Sequence, residues 1–538
     1  MSSIRSFDYI IIGAGSAGCV LANRLSANPK HSVCLIEAGP PDYSPWIHLP
    51  IGYGKTMWDP SVNWKFHTEP DPEMNNRPIY WPRGKCLGGS SSINGLIFIR
   101  GQKEDYDHWH DLGNDGWSWD EVLPYFKKAE GNDRLGEPLH SQIGPLRASS
   151  IKKTHPLVEA FIKSANQLGV PTTDDFNNLQ QEGVGYYQLS THNGLRCSAA
   201  KAYLKPIKSR QNLRIITNAQ VSKILFKDRQ AVGIEYIQGG SKHQIASQKE
   251  IILSAGALQS PQLLQLSGIG PANLLQKFGI PIVHDSPGVG KNLQDHLQYR
   301  LIYELNQNIS TNVELSSLMG RIKIGLDWLL FRSGPLSIGI NQGGLFTKVM
   351  PQSKTPDIQF HLATLSADMA GGKVHPFPGF TMSVCQLRPE SRGYIEIVSP
   401  DPFIPPKIVA NYLTTEHDRA TSIAAVKFAR KIAQTNPLQG LIRREIKPER
   451  AESDEDLLEF CRNNGATIFH PTGTCQMGPS QQKDAVLDCE LRVRGVGGLR
   501  VVDCSAMPTL PSGNTNWPAV MMGERAADLI LQDQNNRV

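Results

Sequence analysis

No stretch of this 538-residue chain approaches the roughly 20 consecutive apolar residues that a membrane-spanning helix requires. Residues 1–12 likewise lack an apolar core of secretory length with a cleavage site, because the first apolar run reads as a strand. The nine cysteines are scattered, odd in number and without a C-x-x-C pair. That pattern signals neither a disulfide framework nor a zinc site, so no metal is expected. A reducing, cytoplasmic compartment is the expectation, with peripheral contact to an inner membrane left open. Basic residues form no block and the formal charge of +5 is thin for this length, so nucleic acid is not an expected partner. Low-complexity tracts and repeats of solenoid period are absent from the sequence. With 40% hydrophobic and 20% charged residues, the composition is that of a globular protein large enough for two or three cores.

Against this background the strongest local signal is Phe7-Asp8-Tyr9-Ile10-Ile11-Ile12-Gly13-Ala14-Gly15-Ser16-Ala17-Gly18. Tyr9 to Ile12 reads as a buried strand, Gly13, Gly15 and Gly18 complete a G-x-G-x-x-G, and Cys19 to Leu25 continues at helical spacing. The first glycine permits a tight turn, the second lets backbone approach a pyrophosphate, and the third lets helix pack on strand. The helix N-terminus then stabilises the negative charge. A second strand, Ser32 to Ile36, ends in Glu37, about twenty residues on, where an acid would accept a hydrogen bond from a ribose 2′-hydroxyl and repel a 2′-phosphate. The expected nucleotide is of the FAD or NAD type.

Ala38 to Pro82 shows no sustained period and reads as a surface excursion or lid with little regular structure. Arg83 to Gly95 is dense in glycine and serine, offering backbone N–H groups at close approach to a phosphate or a flavin ring. Helical patterns cover 103–130 and 153–168, and strands are expected at 213–217 and 220–226. Glu250 to Gly270 repeats the logic of apolar strand, small-residue turn and helix. From about 300 to 465 the pattern changes to strands such as 357–361 and 393–398, with a helix over 418–434, which suggests a substrate domain on an antiparallel sheet.

Near the C-terminus stand Phe469-His470-Pro471, the strand-and-acid Leu499 to Asp503, and Ser512-Gly513-Asn514-Thr515-Asn516-Trp517-Pro518 before a helical tail, 519–531. Together with Gly84–Asn94 and Gly256–Gly270, these residues resemble the glucose-methanol-choline family of FAD oxidoreductases from end to end, and most strongly its aliphatic-alcohol and choline dehydrogenases. The resemblance implies an α/β protein with a Rossmann-like FAD-binding domain and a discontinuous α+β substrate domain built on an antiparallel sheet. The FAD-binding domain would comprise 1–150, 210–300 and 485–538, and the substrate domain 151–209 and 301–484. It further implies that Gly13, Gly15, Ser16, Ala17, Gly18, Glu37 and Ala38 hold the ADP half, with Val221 against the adenine and Asp503 near the pyrophosphate. Gly84, Gly88, Gly89, Ser90, Asn94 and Gly95, with Asn516 and Pro518, would serve the pyrophosphate and flavin. Some family members bond the flavin covalently to a histidine where this chain has Ile93, so FAD is expected to be non-covalent.

The family's catalytic pair corresponds to His470 and Asn514. Oxidising an alcohol requires removal of the hydroxyl proton and transfer of the carbinol hydrogen as hydride to flavin N5. An imidazole is the natural base near neutral pH, and an amide donor stabilises developing alkoxide charge. His67, His296, His361 and His375 lack such context and read as structural. Choline enzymes of the family carry a glutamate where this chain reads Asn341-Gln342-Gly343-Gly344. Without that carboxylate a quaternary cation loses the attraction that offsets its desolvation. The expected substrate is therefore a neutral primary alcohol, oxidised to its aldehyde, with a quinone or oxygen as electron acceptor. Choline dehydrogenase, and a non-redox lyase or photodecarboxylase of the same fold, stand as the rival readings.

Overall fold

The apolar run near the start of the chain becomes a central strand. In the computed structural model, which describes residues 5–536, Arg5–Ile12 lies between Val33–Ile36 and Ser241–Leu253, parallel to both. Leu213–Ile216 extends this parallel set on one side and Leu499–Val501 on the other. Tyr9 to Ile12 and Val33 to Ile36 are all buried, so these strands read as unbroken apolar runs rather than alternating ones. Ser16–Leu25 follows the glycine turn and packs against the long C-terminal helix, Asn516–Asn536.

Ser241–Leu253 begins well before its apolar end. Its first half pairs antiparallel with Gln230–Gln238, which pairs in turn with Ala219–Lys227. Gln230–Gln238 escaped the sequence pattern because exposed and buried residues are mixed along it. The helical pattern over 103–130 resolves into two helices, Lys103–Asp111 and Trp119–Ala129. The break carries Gly113 and Gly116 at positive φ, and Ser118 with Glu121 forms a capping box that starts the second helix.

A second sheet is antiparallel throughout, in the order Ile442–Lys447, Leu297–Leu305, Gly379–Gln386, Ile358–Ala363, Asn341–Thr347, Gly183–Tyr186. Glu416–Ala433 and Pro156–Gln167 share a hydrophobic core with it, through residues such as Val426, Phe161, Phe360 and Met382. The molecule thus has a Rossmann-like α/β part and an α+β part on an antiparallel sheet. The domain division expected at 300 falls inside Leu297–Leu305, which belongs to the antiparallel sheet, so a division by sheets comes before Leu297. Ala38 to Pro82 holds only single helical turns and two-residue strands, as expected. No described helix is long and apolar enough to cross a membrane.

The glycine turn depends on contact too close for a side chain. A Cβ on Gly18 would lie 2.0 Å from the carbonyl oxygen of Gly13, a backbone atom that cannot yield without moving strand or helix. Gly18→Ala is expected to destabilise the protein by about 1–3 kcal/mol, the usual range for overpacking. A thermal midpoint equal to the wild type's would contradict this packing account.

Candidate active site

One cavity is walled by both sheets, with Ile12 and Ile36 from the first and Gln298, Arg300, Asn341, His361 and Ser383 from the second. Gly13, Gly15, Ser16, Ala17, Glu37, Ala38, Gly84, Gly89, Ser90, Asn94, Gly95, Val221, Asp503 and Asn516 all line it. Gly18, Gly88 and Pro518 do not. Gly18 packs helix on strand, the Gly88 amide donates to the Ala14 carbonyl at 2.8 Å, and Pro518 lies in the first turn of the C-terminal helix. The two glycine-rich segments meet directly: Gly89, at φ +52°, would place a Cβ 2.7 Å from the Cα of Gly15.

Two carboxylates brace this end of the cavity. The amides of Ala14 and Gly39 each donate to an oxygen of Glu37 at 2.9 Å, and burial pushes its carboxyl up to about 7 against the pull of those amides. Asp503 accepts from the Gly256 amide at 2.9 Å, the Ser260 hydroxyl at 2.6 Å and the Ser505 amide at 2.7 Å. It thereby ties the end of Leu499–Val501 to the start of the helix Gln259–Leu266. Arg196, buried and unassigned from sequence, holds the glycine-serine segment by donating to Asn94 Oδ1 at 2.7 Å and to the Ser91 carbonyl at 3.2 Å.

At the other end His470 and Asn514 face each other, with Asn514 Nδ2 3.2 Å from His470 Nε2. They belong to a hydrogen-bond chain that starts and finishes on backbone carbonyls. The Tyr187 hydroxyl donates to the Phe360 carbonyl at 2.6 Å and accepts from Gln359 Nε2 at 3.1 Å. Gln359 Nε2 also donates to Asn514 Oδ1 at 3.1 Å, which turns the Asn514 amino group toward His470. Beyond His470, its Nδ1 lies 3.0 Å from His296 Nδ1, and His296 Nε2 lies 3.1 Å from the Leu387 carbonyl. A carbonyl only accepts, so His296 carries its proton on Nε2 and accepts at Nδ1. His470 therefore carries its proton on Nδ1, and its Nε2 lone pair faces Asn514 and the cavity.

The local electrostatics keep these rings neutral. Burial holds His470 well below the usual imidazole range, reinforced by His296, His361 and the Arg83 guanidinium. Burial likewise lowers His296 to about 4 and His361 to about 3. The His470 backbone is fixed by its amide, which donates to Asp295 Oδ1 at 2.7 Å, while the Tyr412 hydroxyl donates to the other oxygen of Asp295. Phe469, just before it, is held at φ +74°, an unusual conformation for a non-glycine residue, and its carbonyl accepts from Arg83 at 2.6 Å.

Two histidines read as structural from the sequence belong to this cluster. His296 is the acceptor for His470, and His361 lines the cavity with neither ring nitrogen in a well-formed hydrogen bond among the described residues. The readable signal for His361 was a strand in which Gln359 and His361, two apart, put polar groups on one face of a buried sheet. His67 and His375 lie outside the cavity lining.

GMC oxidoreductase family models match residues 7–298 and 389–523. The chain belongs to the GMC oxidoreductase family. It is 43% identical over 531 residues to the alcohol dehydrogenase (acceptor) of Pseudomonas putida, covering 98% of this chain and 96% of that one. To the mitochondrial choline dehydrogenase of Mus musculus it is 41% identical over 542 residues, covering 98% and 91%. Among solved structures, pyridoxine 4-oxidase from Mesorbium loti superimposes with a TM-score of 0.88 at 30% identity, covering 97% of this chain and 99% of that one. GMC oxidoreductases bind FAD, and the cavity of this one fits it. A Cβ on Gly15 would have no neighbour closer than 3.9 Å and one on Gly95 none within 4 Å, so the backbone there is bare toward the space a cofactor fills. Ile93 lines the cavity and offers no nucleophile for a covalent flavin bond.

The hydrogen-bond chain makes His296 a positioning residue for His470. Replacing it with alanine should slow flavin reduction by at least about tenfold, because the His470 proton is no longer confined to Nδ1. His296→Asn, which restores an acceptor oxygen, should recover much of that loss with little change in KM. Equal losses in the two variants, measured by anaerobic stopped flow, would contradict the tautomer argument.

Proposed function

We propose that this GMC oxidoreductase oxidises a neutral primary alcohol to its aldehyde, with His470 as base and Asn514 as hydrogen-bonding partner of the substrate oxygen. The observation that carries the reading is the unprotonated Nε2 of a neutral His470 on the cavity wall, held 3.2 Å from the amide donor Asn514 Nδ2. FAD, when bound, supplies the hydride acceptor. His470 Nε2 takes the hydroxyl proton, and Nδ1 stays hydrogen-bonded to His296, which helps disperse the charge of the imidazolium as it forms. Asn514 Nδ2 stabilises the developing alkoxide more than the neutral alcohol, so its hydrogen bond strengthens along the reaction. Gln359 keeps that amide from flipping.

The wall around this pair favours an uncharged substrate. Glu37 and Asp503, both at the nucleotide end and engaged by backbone amides, are the carboxylates among the lining residues. The lining also holds Tyr53, Met57, Ile340, Asn341 and the Arg300 guanidinium, and the Arg83 guanidinium acts on His470 itself. A trimethylammonium group there would be desolvated beside a positive charge with no carboxylate to compensate. The likeness to choline dehydrogenases supports choline as the second reading, and this wall weighs against it. A quinone or oxygen is the proposed acceptor.

Anaerobic mixing with 1-butanol, 1-octanol, benzyl alcohol and choline separates these readings. Neutral alcohols are expected to bleach the flavin while choline leaves it unchanged; bleaching by choline alone would transfer the assignment to a choline dehydrogenase. His470→Ala should retain FAD and lower the reduction rate by about 10²–10⁴-fold. Normal reduction in that variant would remove His470 as the base. The pH profile provides a third test. Because His470 titrates below the ordinary imidazole value, its basic form persists as pH falls, so the reduction rate should stay level through pH ~6.5. A fall centred on that ordinary value would contradict the electrostatic reading.

A further inference from the structure

The helix Leu318–Phe331 turns its apolar side outward. Leu318, Met319, Ile322, Leu326, Leu329 and Leu330 are 49–77% exposed. At helical spacing these six side chains fall within an arc of about 120°. The opposite side holds the helix to the protein: Ile324 is buried, Asp327 accepts from Lys153 Nζ at 2.9 Å, and Trp328 Nε1 donates to the Gly194 carbonyl at 2.9 Å. Exposed Arg321 and Lys323 flank the apolar arc, one on each edge, and Arg332 follows at the helix end. Asp327 is the helix's only acid, and it faces the protein.

We propose that this face docks on the surface of an anionic lipid bilayer. An outward apolar stripe between basic edges is the pattern of a helix lying in the membrane interface, with side chains in the acyl boundary and cations at the headgroups. Fourteen residues span about 21 Å, too short to cross the roughly 30 Å hydrocarbon core, so the helix lies on the membrane rather than through it. The basic edges also favour lipid over a second copy of the chain, since a two-fold contact through this face would bring like charges together. The turn Pro335–Ser337 leads from this helix to Ile340 and Asn341 in the cavity wall, and it packs on Pro50–Gly52, just before Tyr53 of the same wall. The docked face therefore adjoins segments that wall the substrate end of the cavity.

Flotation of the FAD-loaded protein with lipid vesicles tests the proposal. The protein should float with phosphatidylcholine vesicles containing phosphatidylglycerol, more weakly with phosphatidylcholine alone, and less at high salt. Leu326→Glu with Leu329→Glu should lower the bound fraction at least about tenfold, while turnover of a short water-soluble alcohol stays at the wild-type rate. Neutralising Arg321 and Lys323 with glutamine should weaken binding to anionic vesicles about fivefold per charge. In the wild-type protein, hydrogen exchange over 318–331 should slow when anionic vesicles are added. Failure to float with either vesicle, unchanged flotation of the double glutamate variant, or unchanged exchange over 318–331 would overturn the proposal. So would light scattering that shows a wild-type dimer without lipid and a monomer for the double variant, because a second copy would then cover this face.

Discussion

The candidate site depends on two backbone carbonyls that accept but cannot donate. Phe360 lies in the strand Ile358–Ala363 and Leu387 directly follows the neighbouring strand Gly379–Gln386, so one sheet supplies both ends of the hydrogen-bond chain. From these fixed points the direction of every bond between them follows, through Tyr187, Gln359, Asn514, His470 and His296. The amide orientation and both histidine tautomers are thereby set by the fold. His361 stands beside this hydrogen-bond chain on the cavity wall, buried and held to about 3 by desolvation.

Burial has opposite uses at the two ends of the cavity. Near His470 it depresses the imidazole and keeps a lone pair available, the state a proton acceptor needs. Near the glycine turn it raises the Glu37 carboxyl, and two backbone amides draw it back toward the charged form. Close packing there leaves no room for a side chain on Gly89, against Gly15, or on Gly18, against Gly13. Bare backbone thus lines one end of the cavity, while neutral imidazoles and an amide donor line the other.

Much of this was legible in the sequence because it is local. The glycine turn, the strand before it and Glu37 lie within about thirty residues, and their spacing alone specifies the nucleotide end. The helix at Glu416–Ala433 and the strand at Ile358–Ala363 also followed from periodicity. His296 was not legible, since its meaning comes from a ring 174 positions away. The helix break near Gly116 was obscured by apolar residues on both sides, and the strand Gln230–Gln238 by its mixed exposure. The helix Leu318–Phe331 was not read from the sequence, and only the tertiary structure shows which of its sides faces outward.

The fold keeps His470 neutral, with its proton on Nδ1. Long-range proton–nitrogen correlation spectra of ¹⁵N-histidine-labelled protein read this directly, with the His470 signals assigned by their loss in His470→Gln. The ring is expected to be neutral at pH ~6.5, with nitrogen shifts of the Nδ1–H tautomer. A protonated ring, or the Nε2–H tautomer, would contradict it.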